Sequence, residues 1–247
     1  HVYLFPLPYE LYEKYDIKRY GFHGTSHRYV SLKAAEYLGK DIKDLKIVSC
    51  HLGNGSSITA IKDGKSFDTS MGFTPLDGIM MGTRCGSIDP AVVTYLIKDE
   101  GMSAAQVDSL LNKKSGFLGV SGISSDWRDV CAAADKGEHR AVVAKKMVAH
   151  QLRKYIGAYA AAMGGIDVLI FTAGIGENSS TMREIGTQGL EFLGIEIDHE
   201  LNKTMARGQI VNLSAKDAKV TTLVIPTDEE YMIALDTERI VKEAKNK

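Results

Sequence analysis

The chain has 247 residues, 44% hydrophobic and 25% charged, with a formal net charge of -1. That length suits one large domain or two small ones, the apolar share allows a sizeable core, and the near-zero charge argues against a nucleic-acid or other polyanion binder. Cys50, Cys85 and Cys131 are odd in number, far apart and without metal-type spacing, which predicts free thiols in a reducing cytoplasm, and no stretch approaches the ~20 apolar residues of a membrane span. The opening His1-Val2-Tyr3-Leu4-Phe5-Pro6 has no initiator Met and no charged leader, so it reads as a cut inside a longer protein rather than a signal peptide.

From the N-terminus, the aromatic, Pro-punctuated stretch to Tyr15 predicts extended chain and then a short helix. Arg19 to Phe22 reads as a short strand. In His23-Gly24-Thr25-Ser26-His27-Arg28, Thr25 or Ser26 is positioned to cap a helix that carries Val30, Ala34, Tyr37 and Leu38 on one face and ends at Gly39. His23, His27 and Arg28 thereby gather near a helix N-terminus, which favours anions, although an isolated histidine is as readily a capping or core residue. Ile47-Val48 and Ile58 to Ile61 read as two strands around His51-Leu52-Gly53-Asn54-Gly55-Ser56-Ser57. Glycines there let backbone N–H groups approach an anion, so the loop is either a phosphate cradle or an ordinary hairpin connection. Asp63-Gly64 predicts a tight turn into a third strand, Ser66 to Ser70.

Met71 to Pro90 is long, turn-rich and apolar enough to be an ordered functional loop. Its Arg84, between Gly82 and Gly86, suits bidentate anion binding, or a salt bridge that pins the loop. Asp89-Pro90 and the capping box Ser103 to Gln106 open helices. Ser115 to Gly122 reads as loop, and Asp126-Trp127-Arg128 starts a helix ending near Gly137. Glu138 to Met163 is the longest helix, closed by Gly164-Gly165. Ile166 to Thr172 is a buried strand running into Gly174-Ile175-Gly176-Glu177-Asn178, with Ser179 capping the helix beyond. Strand, Gly-x-Gly, helix is a second nucleotide-type element, short of the full dinucleotide fingerprint. Leu190 to Ile197 leads into a strand, Asp198-His199 opens a short helix, and Val220 to Ile225 is a strand. Thr227 and Glu230 form a capping box for the final helix, leaving Glu229 as a candidate metal carboxylate. Lys242 to Lys247 reads as a frayed basic tail.

Two glycine turns that each leave a strand suggest grips on one polyphosphate ligand. His23 and Arg84 supply cationic help for phosphoryl transfer, which asks for positioning and charge neutralisation, and one carboxylate is enough protein ligand for a phosphate-bound Mg²⁺. The chain resembles the acetate kinase (acetokinase) family at Arg19 to His27, His51 to Ser57, Asp68 to Gly78, Gly82 to Gly86, Phe171 to Asn178 and Pro226 to Glu230, in order along essentially its whole length. The resemblance implies an α/β, actin-like ATPase fold of the sugar kinase, Hsc70 and actin superfamily, with a mixed β-sheet flanked by helices. It implies reversible transfer of the ATP γ-phosphate to acetate, with ATP/ADP and Mg²⁺ as cofactors. His23 and Arg84 would stabilise the phosphoryl group in flight. His51, Leu52, Gly53, Asn54 and Gly55 would cradle nucleotide phosphates. Asp126, Trp127 and Arg128, with Gly174, Ile175, Gly176, Glu177 and Asn178, would hold the adenosine side, and Glu229 would help place Mg²⁺.

By the same resemblance, residues 1–18 form an interdomain segment, 19–228 the nucleotide-binding second domain, and 229–247 a helix packing back toward a first domain. The first domain's Asn and Ser, its acetate-contacting Arg and the catalytic Asp of the interdomain segment have no counterpart here, so the expectation is a kinase whose present portion is inactive alone. The partners expected are acetate, ATP and a second copy of the chain, with the alanine-rich Ala158 to Met163 end of the long helix suited to burial in a homodimer; nucleic acid and membrane are not expected. Alternatives are a propionate or butyrate kinase, or a non-catalytic nucleotide-binding or dimerisation module.

Overall fold

In the computed structural model, which describes residues 1–245, Gly53-Asn54-Gly55 joins β1 (Ile47–Leu52) to β2 (Ser56–Lys62) as an antiparallel pair with Leu52 opposite Ser56. Asp63 and Gly64, at φ 54° and 70°, make the tight turn into β3 (Lys65–Thr69). On its other side β1 pairs parallel with β4 (Val168–Thr172), which pairs parallel with β6 (Thr221–Val224); β5 (Val211–Asn212) is an antiparallel edge. The order β3-β2-β1-β4-β6-β5 is the mixed sheet expected of the α/β class.

Side chains alternate along a strand, so the central strands serve two cores. Val48, Cys50, Leu169 and Phe171 pack with Leu152, Ile156 and Tyr159 of α7 (His139–Met163). Ile47, Val168 and Ile170 pack on the other face with Val30 and Ala34 of α2 (Gly24–Leu38). Toward the loop this second face turns polar, with Ser49, His51, Ser57 and Thr59 all buried. A buried polar group must find a partner, and these partners build the site.

Several helix ends follow local rules. Asp89, Ser103, Asp126 and Asp198 each accept a backbone N–H at the starts of α3 (Pro90–Lys98), α4 (Ala104–Lys113), α6 (Trp127–Asp135) and α10 (His199–Thr204), and Ser103 with Gln106 forms the full capping box. The short helix after the first prolines is α1 (Tyr9–Tyr15).

Six expectations are corrected. Residues 19–22 form no strand, because Arg19 donates to the Thr69 and Met71 carbonyls (3.0 and 3.2 Å) and Tyr20 N–H to Gly72 O. α2 is not capped by Thr25 or Ser26: it starts at Gly24 with His23 as N-cap, and the Ser26 hydroxyl is drawn to His51 instead. Leu190 to Ile197 makes a 3-10 turn and one isolated bridge, Ile197 to Ser214, rather than a strand. Thr227 does not cap α11 (Glu229–Lys245); Asp228 accepts the Tyr231 N–H at 2.9 Å, while Thr227 donates to Ser26. Residues 242–245 continue this helix, and of the expected frayed tail 246 and 247 lie outside the described residues.

The sixth correction bears on the site. Ser115 to Gly122 contains α5 (Gly116–Ser121) rather than loop. Its first N–H groups are spent on the long loop: Ser115, Phe117 and Leu118 donate to the carbonyls of Thr83, Met81 and Gly82 at 2.8–2.9 Å. Gly116 sits at φ +62°, where a Cβ would lie 2.0 Å from Met81 O and 2.7 Å from Arg84 O. The glycine is there for close approach of two backbones, the one use of glycine that composition reads as loop. Gly116→Ala is therefore expected to destabilise the chain by about 1–3 kcal/mol or more, measured by urea unfolding, and to displace the turn that carries Arg84.

Candidate active site

The parallel pairing of β1 and β4 places His51 beside Thr172, so the chain leaves both strands at the same edge of the sheet. From β1 it enters Gly53-Asn54-Gly55. From β4 it enters α8 (Ala173–Asn178), so the expected Gly-x-Gly loop is itself a helical turn, followed by α9 (Ser180–Thr187) with Ser179 as its cap. Between these turns and the start of α6 lies a cleft of ≈ 580 Å³, whose walls include Gly53, Asn54, Asp126, Trp127, Arg128, Gly174, Ile175 and Asn178.

His23 and Arg84 meet on the other side of Gly55. A Cβ on that residue would come 3.1 Å from His23 Nε2 and 3.3 Å from Arg84 Nη1. The Arg84 guanidinium approaches the Pro75 carbonyl and the Met81 sulfur, and makes no ion pair among the described residues. The reading of Arg84 as a loop-pinning salt bridge is therefore not what the structure contains. The pinning is done by α5, and the guanidinium stands at the Gly55 corner beside His23.

Three histidines crowd this corner. His23 and His51 stack at 4.0 Å with ring planes 14° apart. His23 Nδ1 pairs with Ser57 Oγ at 2.9 Å, His27 bridges Ser49 and Ser57 at 2.9 and 2.7 Å, and His51 Nδ1 pairs with Ser26 Oγ at 2.8 Å. Burial lowers all three pKa values. His51 falls to about 3, His23 adding to the effect of burial. His27 lies well below its usual value, with His51 and His23 as further causes, and His23 is lowered by burial and then by Arg84. The corner thus combines one uncompensated arginine with neutral imidazoles. His23 itself is a non-glycine residue at φ 59°, and Ala173, opening α8, is another at 65°. Strain of this kind persists where surrounding structure imposes it, commonly at functional sites.

The remaining site residues are placed as follows. Leu52 is a core side chain, buried on the α7 face, so only its backbone faces the turn. His51 lies behind the loop, in the polar seam. Trp127 is 3% exposed, packed on Phe117 with its Nε1–H donated to Ser179 Oγ, so it is a core aromatic whose edge reaches the cleft wall. Arg128 is bound to the Asp126 carboxylate, whose pKa falls to about 2 through that contact. Gly176 is buried, and Glu177 Oε1 accepts the Thr227 N–H. Glu229 is exposed at the first turn of α11.

Three residues escape sequence reasoning. Arg207 lines the cleft from the stretch after α10. Arg183, 2% exposed, donates to Gly176 O and Glu177 O at 2.9 Å and to Asn202 Oδ1 at 2.7 Å, clamping α8 from behind. Ser57 holds two histidines. No local pattern marks the two arginines, and Ser57, though inside the expected glycine loop, shows nothing there of its pairing with His23 and His27, since each acts on residues distant in sequence.

Residues 1–235 match the sequence model of the acetokinase family. The chain is 59% identical over 246 residues to the acetate kinase of Caldanaerobacter subterraneus, covering 99% of this chain and 61% of that one. Among solved structures, acetate kinase of Porphyromonas gingivalis superposes with TM-score 0.94 at 53% identity, over 98% of this chain and 60% of that one. A propionate kinase from Francisella tularensis superposes with TM-score 0.87 at 42% identity, over 94% and 59%. The chain spans about three fifths of the length of the relatives it matches.

The histidine corner makes a pH prediction. A histidine whose folded pKa is depressed binds a proton more readily unfolded, so its contribution to stability is complete above the unfolded value of 6.5 and is lost as the pH falls toward the folded values. Urea unfolding should show stability dropping by on the order of a few kcal/mol between neutral pH and pH ~4. In His51→Gln the slope should be shallower, and an unchanged slope would rule the cluster out as its source.

Proposed function

The chain belongs to the acetokinase family, and we propose that it forms the nucleotide-binding part of a kinase that reversibly transfers the ATP γ-phosphate to acetate, giving acetyl phosphate and ADP. The observation that carries this reading is the convergence of two glycine turns, leaving parallel neighbours β1 and β4, on one cleft beside the His23–Arg84 corner. Gly174 has no neighbouring heavy atom within 4 Å of where a Cβ would stand, and at Gly53 the nearest is the Gly55 carbonyl at 3.4 Å. The chain's own packing among the described residues therefore does not demand glycine at Gly174, and a closely approaching nucleotide would.

In this reading the N–H groups around Gly53 to Gly55, with Asn54, take the phosphates. Asp126, Arg128, Gly174, Ile175 and Asn178, with Arg207, line the nucleoside side. His23 and Arg84 face the transferred group, where His23 N–H and the guanidinium meet developing negative charge. Mg²⁺ would arrive as a phosphate-borne ion. Glu229 would contribute a single carboxylate, with phosphate oxygens and waters completing the shell. Bound Mg²⁺ would neutralise phosphate charge.

The proposed setting is cytoplasmic, consistent with the free cysteines; among the described residues no helix is long and apolar enough to cross a membrane. The exposed Ile233, Leu235, Ile240 and Val241 of α11 would meet the part of the longer protein that the relatives possess beyond this match. The propionate kinase likeness keeps propionate as a second acyl substrate. We propose a homodimer through this domain. In the long helix Tyr159, Ala160 and Met163 are spent inside the chain, leaving Ala158, Ala161 and Ala162 exposed.

Calorimetric titration with MgADP tests the nucleotide reading. Saturable binding is expected, weakened at least tenfold by Gly53→Val and by Gly174→Val. Binding untouched by either change would mean the turns are structural only. Sedimentation at micromolar concentration should give twice the monomer mass; a monomer would remove the dimer proposal.

A further inference from the structure

His23 offers its Nε2 to the corner it shares with Arg84, but a neutral imidazole carries a proton on one nitrogen alone, and which one depends on what its Nδ1 meets. Here Nδ1 meets Ser57 Oγ at 2.9 Å. That same oxygen lies 2.7 Å from His27 Nε2, and His27 Nδ1 lies 2.9 Å from Ser49 Oγ. Each hydroxyl has one proton and each neutral ring one N–H; if Ser57 accepted from both rings its own buried proton would have no acceptor among the described residues, so the chain Ser49, His27, Ser57, His23 runs in one of two directions.

We propose that His27 and Ser57 are positioning residues that hold His23 as the Nε2–H tautomer, so that it acts toward the transferred group as a hydrogen-bond donor. Hydrogen-bond accounting sets the direction. If Ser49 donates to His27 Nδ1, then His27 Nε2–H donates to Ser57 and Ser57 donates to His23 Nδ1, so every donor within the buried seam is used and only the Nε2–H of half-buried His23, at the Gly55 corner, is left for a ligand. In the reverse direction Ser49 accepts from His27, and its own hydroxyl proton, wholly buried, has no acceptor among the described residues. An unmatched buried donor is the more costly arrangement.

A second relay points the same way. Thr227 donates to Ser26 Oγ at 2.7 Å, which frees the Ser26 proton for His51 Nδ1. The two stacked rings are thus both supplied at Nδ1 by a hydroxyl. Depressed pKa values keep the three rings neutral, as the relay requires. Arg84 carries donors only, so Nε2–H and the guanidinium both look for an acceptor in the space between them, which suits an anionic oxygen.

The inference rests on the reading of His23 as facing the phosphoryl group, and its test is independent of turnover. In the ¹⁵N-histidine-labelled 247-residue chain, long-range ¹H–¹⁵N correlation at neutral pH reports which nitrogen of His23 carries the proton, with His23→Gln assigning the signal. Expected is Nε2–H, a preference lost in Ser57→Ala and retained in Ser57→Thr, which keeps the hydroxyl. Nδ1–H in the unmodified chain overturns the proposal whether or not the variants fold, and so does a Ser57→Ala spectrum that keeps the original tautomer. An Nε2–H result alongside no MgADP binding would leave the relay standing and remove instead the reading that this portion holds the nucleotide by itself.

Discussion

The parallel contact between β1 and β4 is the constraint on which the site depends. β1 is zipped antiparallel to β2 on one side and parallel to β4 on the other, with His51 facing Ser57 across one ladder and Thr172 across the other. The antiparallel partner returns immediately, so its connection is the short glycine turn 53–55. The parallel partner must be reached by a long crossover, and α3 through α7 are that crossover. The chain then departs from β4 at the level where it departed from β1. Two turns over a hundred residues apart in sequence end up as the two lips of one cleft.

Holding those lips takes charge and close backbone contact rather than further apolar packing. Arg183 is buried against the carbonyls at the end of α8, and burial lowers its pKa to about 10, which still leaves it protonated at neutral pH. A fixed cation at a helix C-terminus is favourable, and here it orients the opposite end toward the cleft. The long loop is held differently: α5 donates into its carbonyls, and Gln151 of α7 accepts the Met80 N–H at 2.8 Å. Arg84 is therefore positioned through its backbone, and among the described residues its guanidinium makes no ion pair.

Much of this was legible in sequence where the determinants are local. The β1–β2 hairpin, the Asp63-Gly64 turn, the capping residues Asp89, Ser103, Asp126 and Asp198, and the long helix closed at Gly164 follow from neighbours within a few positions. The errors share one cause, that long-range hydrogen bonds outbid local ones. Ser26 and Thr227 had good capping sequences but bond each other and His51, leaving capping to His23's backbone geometry and Asp228. Gly116 and Gly119 read as loop because composition does not distinguish a glycine needed for flexibility from one needed for contact. Arg207 and Arg183 carry no periodic or spacing signal at all. At the site itself, the glycine turns and the pair His23 and Arg84 were recognisable as types, whereas the seam that orients them joins α2, β1, β2 and the segment before α11, and only the fold assembles it.

That seam also explains why the corner is built from neutral rings beside one bare cation. Placing three protonated histidines next to Arg84 would crowd four positive charges in a site screened from water, and the lowered pKa values are the chain's response. Neutral imidazoles keep hydrogen-bonding direction without adding repulsion in the empty site. In the proposed reading, an arriving phosphate would meet one strong point charge and ring donors whose orientation the seam has already fixed. In such an arrangement little reorganisation remains to be done as charge develops, which is the property that electrostatic stabilisation of a transferred group requires.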